Sequence, residues 1–90
     1  RDWEARGYYT RRYDAEPGWA QEEHYHGFDQ LLTVVEGRLE VTIEGQRFVL
    51  EPGDEIFNPG RAVHAMRNLD NGFTMMLYGF PSGCCAPGVP

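Results

Sequence analysis

Residues 24–37 read HYHGFDQLLTVVEG: two of the chain's three histidines stand two positions apart, ahead of a run of leucine, threonine and valine that stops at glycine. Side chains two apart on an extended strand point to the same face. His24 and His26 are therefore expected to reach one point. The same parity carried through position 28 brings Gln30 to that side and turns Tyr25 and Asp29 away. His64 lies in a second strand-like segment, PGRAVHAMRN at 59–68. Three imidazoles joined by one amide oxygen suit a divalent ion, and Fe, Mn, Ni, Co, Cu and Zn all accept such donors.

Working outward, the 90 residues with 41% hydrophobic content make one domain, 1–90, with one modest core. The net charge of −6, carried with eight arginines and no lysine, argues against a nucleic-acid or anionic-membrane partner. No apolar run approaches the roughly 20 residues of a membrane span, and no signal peptide opens the chain. A cytoplasmic protein is the expectation. Cys84 and Cys85 are adjacent, so they cannot staple distant parts of a fold. A vicinal disulfide, a reactive thiol pair and a plain small-residue tail are the readings they allow.

Short strands are expected over 7–13, 30–36, 38–44, a return strand carrying Phe48 and Leu50, 56–57, 64–69 and 73–80, separated by the turn signals Pro17-Gly18, Gly37, Glu44-Gly45, Pro52-Gly53, Asn58-Pro59-Gly60 and Asp70-Asn71-Gly72. The cleanest is Leu39, Val41 and Ile43 alternating with Arg38, Glu40, Thr42 and Glu44. No segment has a helical period, so the fold class is all-β, a barrel or sandwich. Segments 30–36 and 73–80 are apolar on both parities and need cover on their outer face. A second copy of the chain is the expected cover, giving a homodimer.

Gly18, His24, His26, Gln30 and Gly37 fit the pattern G-x5-H-x-H-x3/4-E-x6-G with glutamine in the glutamate place. Gly53, Pro59, His64 and Asn68 fit G-x5-P-x-G-x2-H-x3-N with Arg61 in place of a glycine. The two motifs, spanning 18–37 and 53–68, make the chain resemble the cupins, small double-stranded β-helix (jelly-roll) barrels. The resemblance implies a metal held by His24, His26, Gln30 and His64. A glutamate would cancel one of the ion's two charges; Gln30 cancels none, leaving a stronger Lewis acid. Gln30 either ligates through its oxygen or sits beside a three-histidine site.

The resemblance also implies a small-molecule ligand or substrate. One expectation is a metal-dependent enzyme acting on an oxygen-rich molecule, as a lyase, isomerase, cyclase or dioxygenase; cupins with this glutamine variant include sugar-acid converting proteins and polyketide cyclases. The alternatives are a sensor or accessory module that binds without turnover and a metal-free barrel. Phe28, Leu32, Met66 and Phe57 are candidate pocket walls, and Arg61 a candidate partner for a substrate carboxylate. The general base is not legible; the tyrosines, Glu22 and Glu23 qualify by type alone.

Overall fold

Leu39, Val41 and Ile43 do turn inward, on a strand at Leu39–Ile43 whose first and third residues are buried. It is the fourth of eight in the computed structural model, which describes residues 2–82. After a 3-10 turn at Glu4–Arg6 come β1 (Tyr8–Ala15), β2 (Ala20–His24), β3 (Gln30–Glu36), β4 (Leu39–Ile43), β5 (Gln46–Leu50), β6 (Glu55–Asn58), β7 (His64–Asn68) and β8 (Thr74–Pro81). They pair into two four-stranded sheets, ordered β1-β8-β3-β6 and β2-β7-β4-β5, and every ladder is antiparallel. Among the described residues no helix is long and apolar enough to cross a membrane. Cys84 and Cys85 lie outside the described residues.

The core forms between the sheets. Ala15, Leu32, Val34, Met76, Tyr78 and Phe80 from the first meet Leu39, Val41, Leu50 and Met66 from the second. Hairpin β4–β5 closes on Glu44 (φ 49) and Gly45 (φ 80), two successive left-handed residues. That backbone twists with the strands it joins, which is why a glycine serves at its second position. The first strand runs past the expected end at 13, because Asp14 and Ala15 continue the ladder opposite Met75 and Thr74.

The outer face of the first sheet departs from expectation. Leu31 and Thr33 alternate with the core residues Leu32 and Val34 and so face outward, yet they are only 3% and 0% exposed. Thr33 is buried under the 51–54 turn, its hydroxyl donating to the Asp54 carbonyl. Leu31 stands opposite Gly79, where the missing side chain makes a seat for Trp3. A Cβ on Gly79 would come within 2.9 Å of the indole. The indole N–H donates to Glu55 at 3.0 Å. Trp3 is thereby buried, and this chain's own N-terminal segment supplies part of the cover assigned to a second copy. Val35, the extra residue of a bulge between Val34 and Glu36, remains exposed on that side, as does Phe57. Phe57 pairs with Leu31, which sets it on the outer surface and removes it from the expected pocket wall.

Candidate metal centre

The three histidines converge, by a route the strand periodicity does not describe. β2 ends at His24, and His26 lies beyond it in the connection to β3. His24 pairs across the ladder with His64, the first residue of β7, and their ring centroids are 4.2 Å apart. His26 folds back over that pair at 5.0 Å from His24 and 5.1 Å from His64. Its ring stacks on Phe28 at 5.0 Å. Its carbonyl accepts the Arg61 N–H at 2.7 Å, so the loop between β6 and β7 clamps it from the far side. A register shift in β2 between Gln21 and His24 accompanies this turn out of the ladder.

One ring nitrogen from each histidine lies within 4.8 Å of the other two. First-row ions bind imidazole at about 2.0–2.1 Å, which holds paired nitrogens roughly 3–4 Å apart, so small side-chain rotations close the set. His24 is oriented for it. Its Nδ1 lies 2.8 Å from the Glu22 carbonyl oxygen, which accepts the ring proton and leaves the lone pair on Nε2. Backbone carbonyls orient metal-binding imidazoles in this way. The donor set therefore fits a divalent ion.

Gln30 arrives from elsewhere. The connection 25–29 breaks the assumed parity, and Gln30 is the first residue of β3, in the opposite sheet from His24 and His64. Its placement comes from its cross-strand partner Asn58. Gln30 is 2% exposed, and its Oε1 accepts from Asn58 Nδ2 at 3.3 Å. The same nitrogen is 3.0 Å from His64 Nδ1. Asn58 thus joins the fourth candidate ligand to the third histidine, a role hidden in the sequence because Asn58-Pro59-Gly60 reads as a strand breaker.

Asp29 faces away as expected, accepting the Gly60 N–H at 2.8 Å, and Tyr25 is exposed. Leu32 and Met66 belong to the core, with Phe28 packed at its edge. Of the residues considered as a base by type, Glu22 and Glu23 are exposed. Tyr78 is in the core, and burial pushes its phenol above the ordinary range. At neutral pH it is a hydrogen-bond donor and no base. A separate groove lined by Arg12, Asp14, Glu36, Phe73 and Met75 contains none of the histidines.

A family model described as a cupin domain matches residues 11–80. The chain belongs to the cupin family. This cupin is 35% identical over 63 residues to the polyketide synthase CurC of Streptomyces cyaneus, a match covering 69% of this chain and 41% of that protein. The chain thus spans about two-fifths of that relative's length. Among solved structures it is similar to KdgF from Halomonas sp., at 26% identity and a TM-score of 0.73, over 83% of this chain and 70% of that one. The salicylate 1,2-dioxygenase of Pseudoaminobacter salicylatoxidans superposes with a TM-score of 0.77 at 22% identity, over 83% of this chain and 22% of the enzyme. At that identity the likeness is one of fold.

Proposed function

We propose that this cupin is a metal-dependent, redox-neutral enzyme for an oxygen-rich small molecule of polyketide type, with His24, His26, Gln30 and His64 as the ligand set. The convergence of three histidine nitrogens within 4.8 Å carries the reading. His24, His26, Gln30 and His64 would hold the ion, which would supply a Lewis acid able to polarise a carbonyl or enol oxygen and ease proton removal from the adjacent carbon. Gln30, being neutral, leaves the centre more attractive to an anionic oxygen than a glutamate would. Phe28 and His26 form the apolar and aromatic edge against which a flat ligand would lie. The relative named as a polyketide synthase supports the substrate class.

Arg61 is read as the residue that meets a ligand carboxylate or enolate. It stands where the motif has glycine, and it holds φ 69, a conformation that strains a residue with a side chain by about 1 kcal/mol. Such strain tends to persist where a side chain is needed. For the uncovered outer face carrying Val35 and Phe57, we place a second copy of the chain; a concentration-independent monomer mass removes that assignment.

The test is incubation of metal-loaded protein with poly-β-ketones, keto-sugar acids, enediols and catechols, followed by mass spectrometry and an oxygen electrode. The expected result is a product isomeric with the substrate or lighter by water, without oxygen uptake, and lost in His64→Ala. Arg61→Gly is expected to raise stability by about 0.5–1 kcal/mol while weakening an anionic ligand roughly tenfold. Oxygen uptake would replace the assignment with a dioxygenase, and ligand-induced stabilisation with no product would make the protein a binding module.

A further inference from the structure

His24 and His64 differ in how their outer nitrogens are held. At His24, Nδ1 meets a carbonyl oxygen, that of Glu22 at 2.8 Å, which has no hydrogen to offer and so takes the ring's proton. At His64, Nδ1 lies between two groups with opposite demands. The amide nitrogen of Asn58 at 3.0 Å can only donate, whereas the carbonyl oxygen of Ala62 at 3.2 Å can only accept. A neutral imidazole carries one N–H, so satisfying one neighbour leaves the other unmet. Asn58 also gives its NH2 group to Gln30 Oε1 at 3.3 Å, while its own Oδ1 is buried without a hydrogen-bond partner. A buried carbonyl oxygen with no donor is an unfavourable arrangement, and a half-turn of the carboxamide would bring that oxygen to the side of His64 Nδ1 and Gln30.

We propose that Asn58 is a positioning residue that switches His64 between its two tautomers, and that metal uptake turns the Asn58 and Gln30 carboxamides over together. Without metal, Asn58 donates to Nδ1, and the His64 proton resides on Nε2, the nitrogen that must be bare to ligate. On loading, the proton moves to Nδ1, where Ala62 accepts it and the Asn58 oxygen, after the half-turn, accepts it too. Gln30 then offers Nε2–H to that same oxygen, and its own oxygen is no longer held by Asn58. Loading the centre is therefore coupled to a buried amide rearrangement at one histidine and free of it at His24. The inference rests on the reading of the three histidines as a metal site.

Long-range proton–nitrogen NMR of the 15N-labelled chain, at about pH 8 where imidazole is neutral, reads each ring's tautomer directly. Metal-free protein is expected to show His64 with its proton on Nε2, and zinc-saturated protein to show it on Nδ1. Asn58→Asp, which can only accept, and Asn58→Leu, which does neither, should both move metal-free His64 to the Nδ1 form. Asn58→Asp should also tighten zinc roughly tenfold, the lower end of the effect of such outer partners. A metal-free wild type already carrying the proton on Nδ1, or variants that leave the tautomer unchanged, would overturn the switch. If zinc binds no form of the protein, the metal reading fails, and comparing metal-free wild type with its variants still decides the role of Asn58. If one variant does not fold, the other answers the same question.

Discussion

Zinc supplied at a hundred times its dissociation constant is expected to stabilise the fold by about 2.7 kcal/mol, raising the melting temperature of a domain this size by roughly 10–20 °C. A chelator should reverse the rise. The size follows from linkage: the unfolded chain scatters the three histidines, so nearly all of the binding free energy appears as folded-state stability. The location says which parts are tied. His64 begins β7 and His24 ends β2, and His26 belongs to the connection that follows, so one ion would fasten a ladder end to a loop. His64→Ala should abolish the metal-induced shift. The variant must be judged by that shift and not by its absolute melting temperature, because removing a buried imidazole also strips Asn58 of a neighbour. Calorimetry with and without zinc, together with elemental analysis, makes the measurement. No shift in the wild type, or an equal shift in His64→Ala, would end the metal assignment.

The fold was largely legible because strand alternation and turn chemistry are local. Leu39, Val41 and Ile43 announce a half-buried strand whatever surrounds them, and Glu44-Gly45 announces its turn. The three histidines were legible through their spacing in two motifs. What strand geometry could not supply was the way they meet. His26 leaves the ladder and is held by a stacked Phe28 ring and by Arg61, contacts that depend on where two loops cross. Gln30 falls on the histidine face only if parity is counted through residues that are not a strand, and its neighbour Asn58 comes from β6, a pairing that local alternation does not specify. The role of Asn58 is hidden for the same reason. Trp3 shows the limit most clearly: its burial depends on Gly79, a residue most of the chain away, so an apolar outer face looked open when the chain itself covers part of it.

Gly37→Ala is expected to destabilise the protein by about 4 kcal/mol, a large part of the roughly 5–15 kcal/mol that holds an ordinary domain together. Gly37 has φ 97, and an added Cβ would lie 2.3 Å from Thr74 Oγ1, 2.8 Å from Thr74 Cα and 2.9 Å from Thr74 Cβ. Left-handed strain contributes about 1–2 kcal/mol and overpacking about 1–3 kcal/mol. Thr74 has nowhere to go. It is 0% exposed; its hydroxyl donates to Asn68 Oδ1 at 2.7 Å and accepts the Arg38 N–H at 3.1 Å. Asn68 in turn gives its amide to the carbonyls of Glu16 at 2.9 Å and Gly72 at 3.0 Å, and accepts the Asp70 N–H at 2.8 Å. The glycine closing the first motif and the asparagine closing the second are thus two ends of one buried hydrogen-bonded joint, which displacing Thr74 would open. Thr74→Ala in the same chain should not rescue Gly37→Ala, because the clash with the Thr74 Cα remains when the hydroxyl is gone. Urea unfolding of both variants settles it: a loss under about 1 kcal/mol for Gly37→Ala, or full rescue by Thr74→Ala, would mean that the backbone at this joint yields, and that the motif glycine answers to something other than the close approach of β8.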